Sequence, residues 1–147
     1  AIHTLLARTA HAQRNFLRPY LRELDLAPGQ PKVLRELAAT GSSSQRELAR
    51  SCGVDPSAIS RMMDSLERKG FLLRVPDPKD RRSGQVALTE RGRWALNAWE
   101  ERCMVIEEQM LQGFSQEERM QLRDFLERAY RNVGGADGKE ENTGERA

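Results

Sequence analysis

The stretch SQRELARSCGVDPSAISRMMDSLERKG, residues 44–70, decides the fold. It opens on Ser-x-x-Glu, a capping box in which Ser44 can accept from the Glu47 N–H while Glu47 reaches back to the start of the helix. Leu48, Ala49 and Cys52 then fall on one face of a short helix that Gly53 ends. Asp55 and Pro56 supply an N-cap and a proline at the first helical position, so a new helix begins there. Its apolar residues Ile59, Met62, Met63 and Leu66 recur at i, i+3, i+4 and i+7, and Gly70 closes it. Two helices joined by the tight turn Cys-Gly-Val-Asp form a helix-turn-helix.

In such a unit the second helix can enter a DNA major groove, provided its outer face is small and polar near its start. Ser57, Ala58, Ser60 and Arg61 occupy that face. Small side chains let the helix axis approach the base edges, where Arg61 can grip guanine or hold a phosphate and the serines can donate. Ser44, Gln45 and Arg46 open the preceding helix and offer free N–H groups and a side chain to a phosphate. Helix-turn-helix spacing alone is shared by many helical hairpins, so the flanking sequence carries much of the weight.

Downstream the period drops from helical to alternating. Phe71, Leu73 and Val75 alternate, as do Val86 and Leu88, which predicts two short strands with one buried face each. Between them PDPKDRRSG, residues 76–84, turns the chain on two prolines and a glycine and carries Asp80, Arg81 and Arg82. The result is a wing with a basic tip, a second surface able to face DNA. Upstream, residues 2–25 read as a helix that Pro19 should kink, and Val33, Leu34, Leu37 and Ala38 mark another that ends at Gly41. After the wing, Thr89 caps a long helix running to about Gln112 that buries Trp99, Cys103, Ile106 and Met110. A second capping box, SQEE at 115–118, opens a last helix with Leu122, Phe125, Leu126, Ala129 and Val133.

The expected fold is mainly α with a small β-hairpin wing. A winged helix-turn-helix DNA-binding core, residues 28–92, lies between an N-terminal dimerisation helix, residues 1–27, and C-terminal dimerisation helices, residues 93–133. The polar, aperiodic segment 134–147 is expected to be a disordered tail. So small a core cannot cover all the outer amphipathic helices. They point to a two-fold homodimer through Leu5, Leu6, Leu122, Phe125, Leu126 and Ala129.

Composition narrows the function classes. Twenty-four Lys and Arg against 22 Asp and Glu give a net charge of +2, too little to argue for nucleic acid by bulk charge. Removing the last fourteen residues, with four acidic and two basic side chains, leaves a body of +4. Cys52 and Cys103 have neither metal nor redox spacing and read as buried thiols in a reducing compartment. No run approaches a membrane span and no signal peptide is evident, so a cytoplasmic protein is expected, with residues before Ala1 left open. His3 and His11 both fall on the first helix, no nucleophile has a histidine in reach, and no phosphate loop exists. No catalytic residue, metal site or cofactor is therefore expected. The competing reading is a winged-helix protein-interaction module that never touches DNA. It explains the modest charge but not why the wing tip and the helix start both carry arginine.

The segment ELARSCGVDPSAISRMMDSLERKGFLLRVPDPKDRRSGQVALTERG, residues 47–92, resembles the winged-helix core of the MarR family of bacterial transcriptional regulators, and LAPGQPKVLREL, residues 26–37, resembles the segment before it. The carrying signature is Asp-x-Arg-Ser followed by Leu-Thr-x-x-Gly, met by Asp80, Arg82, Ser83, Leu88, Thr89 and Gly92. The resemblance covers about residues 20–95 and implies an obligate homodimer on pseudo-palindromic double-stranded DNA, with N- and C-terminal helices interleaved. It also implies that Arg82 enters the minor groove with Asp80 orienting it, leaving Arg81 to the backbone. Many members release DNA when a small aromatic or phenolic effector binds near the dimer junction, or when a cysteine is oxidised, and the resemblance implies a repressor by default. Two departures stand out. Ala27 replaces a frequent threonine cap, and the first helix lacks the reactive cysteine of peroxide sensors, which weakens the alternative of a thiol-based redox regulator.

Overall fold

The computed structural model describes residues 1–76, 79 and 84–135. The expectations for Asp80, Arg81 and Arg82, and for the tail from Ala136 onward, lie outside the described residues. The chain divides into two compact units, residues 1–106 and 107–147.

The elements follow the order α1 (Ile2–Glu23), α2 (Gln30–Thr40), β1 (Ser43–Ser44), α3 (Gln45–Cys52), α4 (Pro56–Arg68), β2 (Leu72–Val75), β3 (Gln85–Leu88), α5 (Glu90–Met110) and α6 (Gln116–Asn132). Helix α1 runs unbroken through Pro19, where the sequence suggested a kink or break. Both capping boxes form: Ser44 accepts from the Glu47 N–H at 3.2 Å, and Ser115 from the Glu118 N–H at 3.1 Å, each Glu returning to the cap N–H. Residue 53 ends α3 in the left-handed region, φ 63°, which glycine adopts without a Cβ penalty.

The core of the first unit is one apolar cluster. Val33, Leu34 and Leu37 of α2, Leu48 of α3, Ile59, Met63 and Leu66 of α4, and Phe71 and Leu72 are its largest fully buried side chains. Each contributes about 1.5–3 kcal/mol by leaving water. Trp99 and Ile106 bring α5 into the same cluster, while Cys103 packs against it only partly buried.

The sheet differs from the sequence reading in two respects. It has three strands in the order β1-β3-β2, all antiparallel, because Ser43 and Ser44 pair with Val86 and Gln85. In β2 the inward residue is Leu72, opposite Leu88, whereas Leu73 and Val75 are each 43% exposed. The reason is that Phe71 belongs to the bend after Gly70 rather than to the pleat. The strand begins one residue later, and a one-residue offset exchanges the two faces. Met110, expected inside, is 40% exposed at the end of α5.

Five residues tie the sheet to α5. Thr89 donates its N–H to Phe71 O at 3.1 Å and its hydroxyl to Gly70 O at 2.5 Å, and accepts the Gly92 N–H at 3.0 Å. A Cβ on Gly92 would lie 1.9 Å from Phe71 O, so only glycine admits this approach. Arg91 lies over the Phe71 ring at 5.2 Å from its centroid.

In the second unit, Arg119 of α6 pairs with Glu108 at 2.7 Å and donates to Leu111 O at 3.3 Å, closing the turn before the helix. Helix α6 buries no residue, and Phe125, Leu126 and Tyr130 are exposed. Gly92→Ala should lower the unfolding free energy by about 1–3 kcal/mol or more, as overpacking against rigid backbone does, measured by urea denaturation. A wild-type midpoint would show that α5 does not approach the sheet this closely.

Candidate nucleic-acid interface

The candidate surface is built around α4. Asp55 caps it, accepting from the Ser57 N–H at 3.1 Å and from the Ser57 hydroxyl, with Pro56 next in line. Ile59, Met63 and Leu66 anchor the helix inward. At 3.6 residues per turn, this burial turns Ser57 and Arg61 to solvent, with Ala58 and Ser60 half-buried at the edges. Ser44 and Gln45 are half-buried and Arg46 exposed at the start of α3. The structure thus brings Ser44, Gln45, Arg46, Ser57, Ala58, Ser60 and Arg61 onto the helix-turn-helix as expected.

An open groove of about 980 Å³ runs between α3, the start of α4 and β3, and Gln45, Arg46, Arg50, Pro56, Arg74 and Val86 line it. Three of its eleven lining residues are arginines, and Arg74 among them is paired with Asp64 and Glu67. Neither Arg46 nor Arg61 joins a carboxylate in an ion pair among the described residues, so their charge is available to an outside anion.

The hydrogen bonds from Ser57 to Asp55, chiefly from its hydroxyl and then from its N–H, hold the Asp55 carboxyl below its ordinary pKa. Burial opposes them to a lesser degree, and the Ala58 N–H and the Arg61 charge add still smaller effects in the lowering direction. The cap stays ionised wherever DNA binding would be measured.

Two further contacts position this surface and were not read from the sequence. Arg74 of β2 reaches α4, at 2.7 Å from Asp64 and 3.2 Å from Glu67. Lys32 of α2 donates to Cys52 O at 2.8 Å, placing a cation at the negative end of α3. Side-chain reach between elements that meet only in the fold has no local sequence signal.

Comparison with known proteins bears on what this geometry serves. The model of the MarR family matches residues 26–83, which span α2 to the end of the wing loop. A putative transcriptional regulatory protein for the hcr operon of Thauera aromatica is 32% identical over 120 residues, 82% of this chain and 72% of that protein. The chain belongs to the MarR family.

Members of the MarR family are transcription regulators, not enzymes. The multiple antibiotic resistance protein MarR of Salmonella typhimurium is 40% identical over 76 residues, so the match spans about half of each chain, 52% here and 53% there. Among solved structures, the reduced form of MarR from E. coli superposes with a TM-score of 0.77 at 26% identity, covering 88% of this chain and 96% of that one. A mutant MarR from E. coli complexed with operator DNA gives 0.74 at 26% identity, covering 87% and 92%. The winged-helix arrangement is therefore that of the MarR family, and residues 80–82 fall inside the matched segment.

Burial, the largest influence, pushes both thiols above their ordinary pKa: Cys52 with Glu36 adding and Lys32 opposing, Cys103 with Glu100 adding and Arg35 opposing. A protonated thiol is a poor nucleophile. His11 meets Asn15 at 3.1 Å, and no His, Cys, Asp or Glu cluster among the described residues could hold a metal ion. No helix among them is long and apolar enough to cross a membrane.

Because the folded-state pKa of Asp55 is lowered, its contribution to stability is fully present above the unfolded value of about 3.9 and is lost as pH falls through the lowered value. The stability difference between wild type and Asp55→Ala should therefore be constant from neutral pH to about pH 5 and shrink only in stronger acid. A difference that vanishes by pH 5 in thermal melts would mean that the cap is not ionised in this way.

Proposed function

We propose that the protein is a homodimeric, sequence-specific DNA-binding transcription regulator whose two copies of α4 enter successive major grooves of one duplex. The observation that carries the reading is the outward face of α4. Ser57 and Arg61 stand exposed on a helix capped at one end and anchored below, beside the arginine-lined groove that leads to the wing. In this reading Arg61 reads a base edge or clamps a phosphate, while Ser44, Gln45 and Arg46 hold the backbone. Arg82 reaches the minor groove with Asp80 orienting it, and Arg81 meets a phosphate.

The dimer is supported by apolar surface that each unit leaves uncovered. Ile2, Leu5 and Leu6 of α1 are exposed in the first unit, and Phe125, Leu126 and Tyr130 of α6 in the second. Apolar faces of this kind mark interfaces, and a two-fold contact with a second copy is the simplest way to cover them. Segments 1–27 and 93–133 would then be dimerisation arms around the DNA-binding core at 28–92. We assign the protein to the cytoplasm, where bacterial DNA lies, and give it the role of a repressor that a small aromatic ligand releases. The raised thiol pKa values favour ligand release over cysteine oxidation.

Affinity for duplex DNA should fall steeply with salt, because each lysine or arginine on a phosphate releases a counterion. Gel shifts against genomic fragments at low and high salt test this, and absence of binding at both would sink the proposal. Arg61→Ala should reduce discrimination among sites by roughly five- to 150-fold with little change in non-specific binding. A uniform loss would instead make Arg61 a phosphate clamp. Phe125→Glu should dissociate or unfold the protein, read by sedimentation and circular dichroism. A folded monomer with wild-type DNA affinity would refute the dimer.

A further inference from the structure

We infer that Gln30 is a positioning residue for the recognition helix, its buried amide tying the loop after α1 to one flank of α4 and so setting how the Ser57–Arg61 face meets DNA. This rests on the DNA-binding reading above. Gln30 is polar yet only 2% exposed, and it makes three hydrogen bonds. Its Oε1 accepts from the Ala27 N–H at 2.9 Å and from Lys69 Nζ at 3.1 Å, and its Nε2 donates to Ser65 Oγ at 3.1 Å. The two donors occupy both lone pairs of the amide oxygen, so the amide has one orientation. The tie therefore has a single geometry.

The loop also packs directly against α4. Gly29 adopts φ +85°, and a Cβ there would come within 3.0 Å of Met62 Cε on the same helix. Around α4, at about 100° per residue, Met62, Ser65 and Lys69 share one flank. Asp64 and Glu67 lie toward the other, where Arg74 holds them from β2. Ile59, Met63 and Leu66 hold the inner face. The arc that remains open carries Ser57, Arg61 and Arg68. Of the two lateral ties, the Arg74 pair is solvent-exposed and correspondingly weak. In the Gln30 tie the amide is buried while Ser65 and Lys69 are half-buried, so its hydrogen bonds are less exposed to water than the Arg74 pair, and leaving the amide unsatisfied costs more.

Base-edge contacts need a helix held at one angle, whereas attraction to phosphates tolerates many. Releasing the flank should therefore reduce discrimination between sequences while sparing general attraction to DNA.

The test begins with the intact wild-type protein, used to enrich duplexes from a randomised pool. Affinity is then measured for the enriched duplex and a scrambled one at two salt concentrations. The variants are Gln30→Leu, Gln30→Glu and Ser65→Ala. Gln30→Leu should cut the enriched-to-scrambled affinity ratio by about ten-fold, with scrambled-duplex affinity and salt slope unchanged. Gln30→Glu should keep most of the ratio, since its carboxylate accepts from the same donors and Ser65 can donate to it. Ser65→Ala removes one of the two contacts to this flank, leaving that of Lys69, and substitutes a strong helix former. It should lower the ratio in the same direction, and it carries the test if Gln30→Leu does not fold. Equal losses on both duplexes, or an unchanged ratio in the folded variants, would overturn the role of Gln30 while leaving DNA binding intact. A wild-type protein that enriches no duplex would overturn the DNA reading itself, and this inference with it.

Discussion

The meeting of Gly92 with the Phe71 carbonyl is the contact on which the rest of the first unit depends. At that point the end of α4, the root of both wing strands and the start of α5 come within one turn of chain. Thr89 joins them by donating to the carbonyls of Gly70 and Phe71 and accepting from Gly92. The absence of a side chain at position 92 lets α5 pack there, and Phe71 is fully buried beside it. Helices α4 and α5, sharing one knot of this kind, cannot shift independently.

From that knot the logic of the surface follows. Helix α4 is held below by apolar packing, on one flank by Gln30 and on the other by Arg74, so its remaining arc is committed to solvent or to a ligand. Arg46 and Arg61 form no close ion pair with a carboxylate among the described residues, Arg61 acting on Asp55 only through its charge. Net charge conveyed little of this. What matters is where the unpaired cations stand.

Much of this was legible in the residues, because the decisive signals are local. Ser44 with Glu47, Asp55 with Pro56, and the spacing of Ile59, Met63 and Leu66 each act within a turn or two of helix, and each forms as read. The failures are equally physical. Two residues, Ser43 and Ser44, are too short to carry a period, so β1 left no pattern. Phe71 and Leu72 are both buried because a bend separates them, and alternation assumed a straight strand. Met110 sits on an apolar stripe, and a stripe does not say whether its own chain covers it. Gln30 looked like loop, since its partners are 35 and 39 residues away.

The central claim is that two copies of α4 read one duplex in successive major grooves, and hydroxyl-radical footprinting on a bound duplex tests it most directly. The account predicts two protected patches related by a two-fold axis, their centres about one helical turn or 10 bp apart, with weaker protection at the outer minor grooves. A single unsymmetrical patch, or uniform protection without phase, would contradict it.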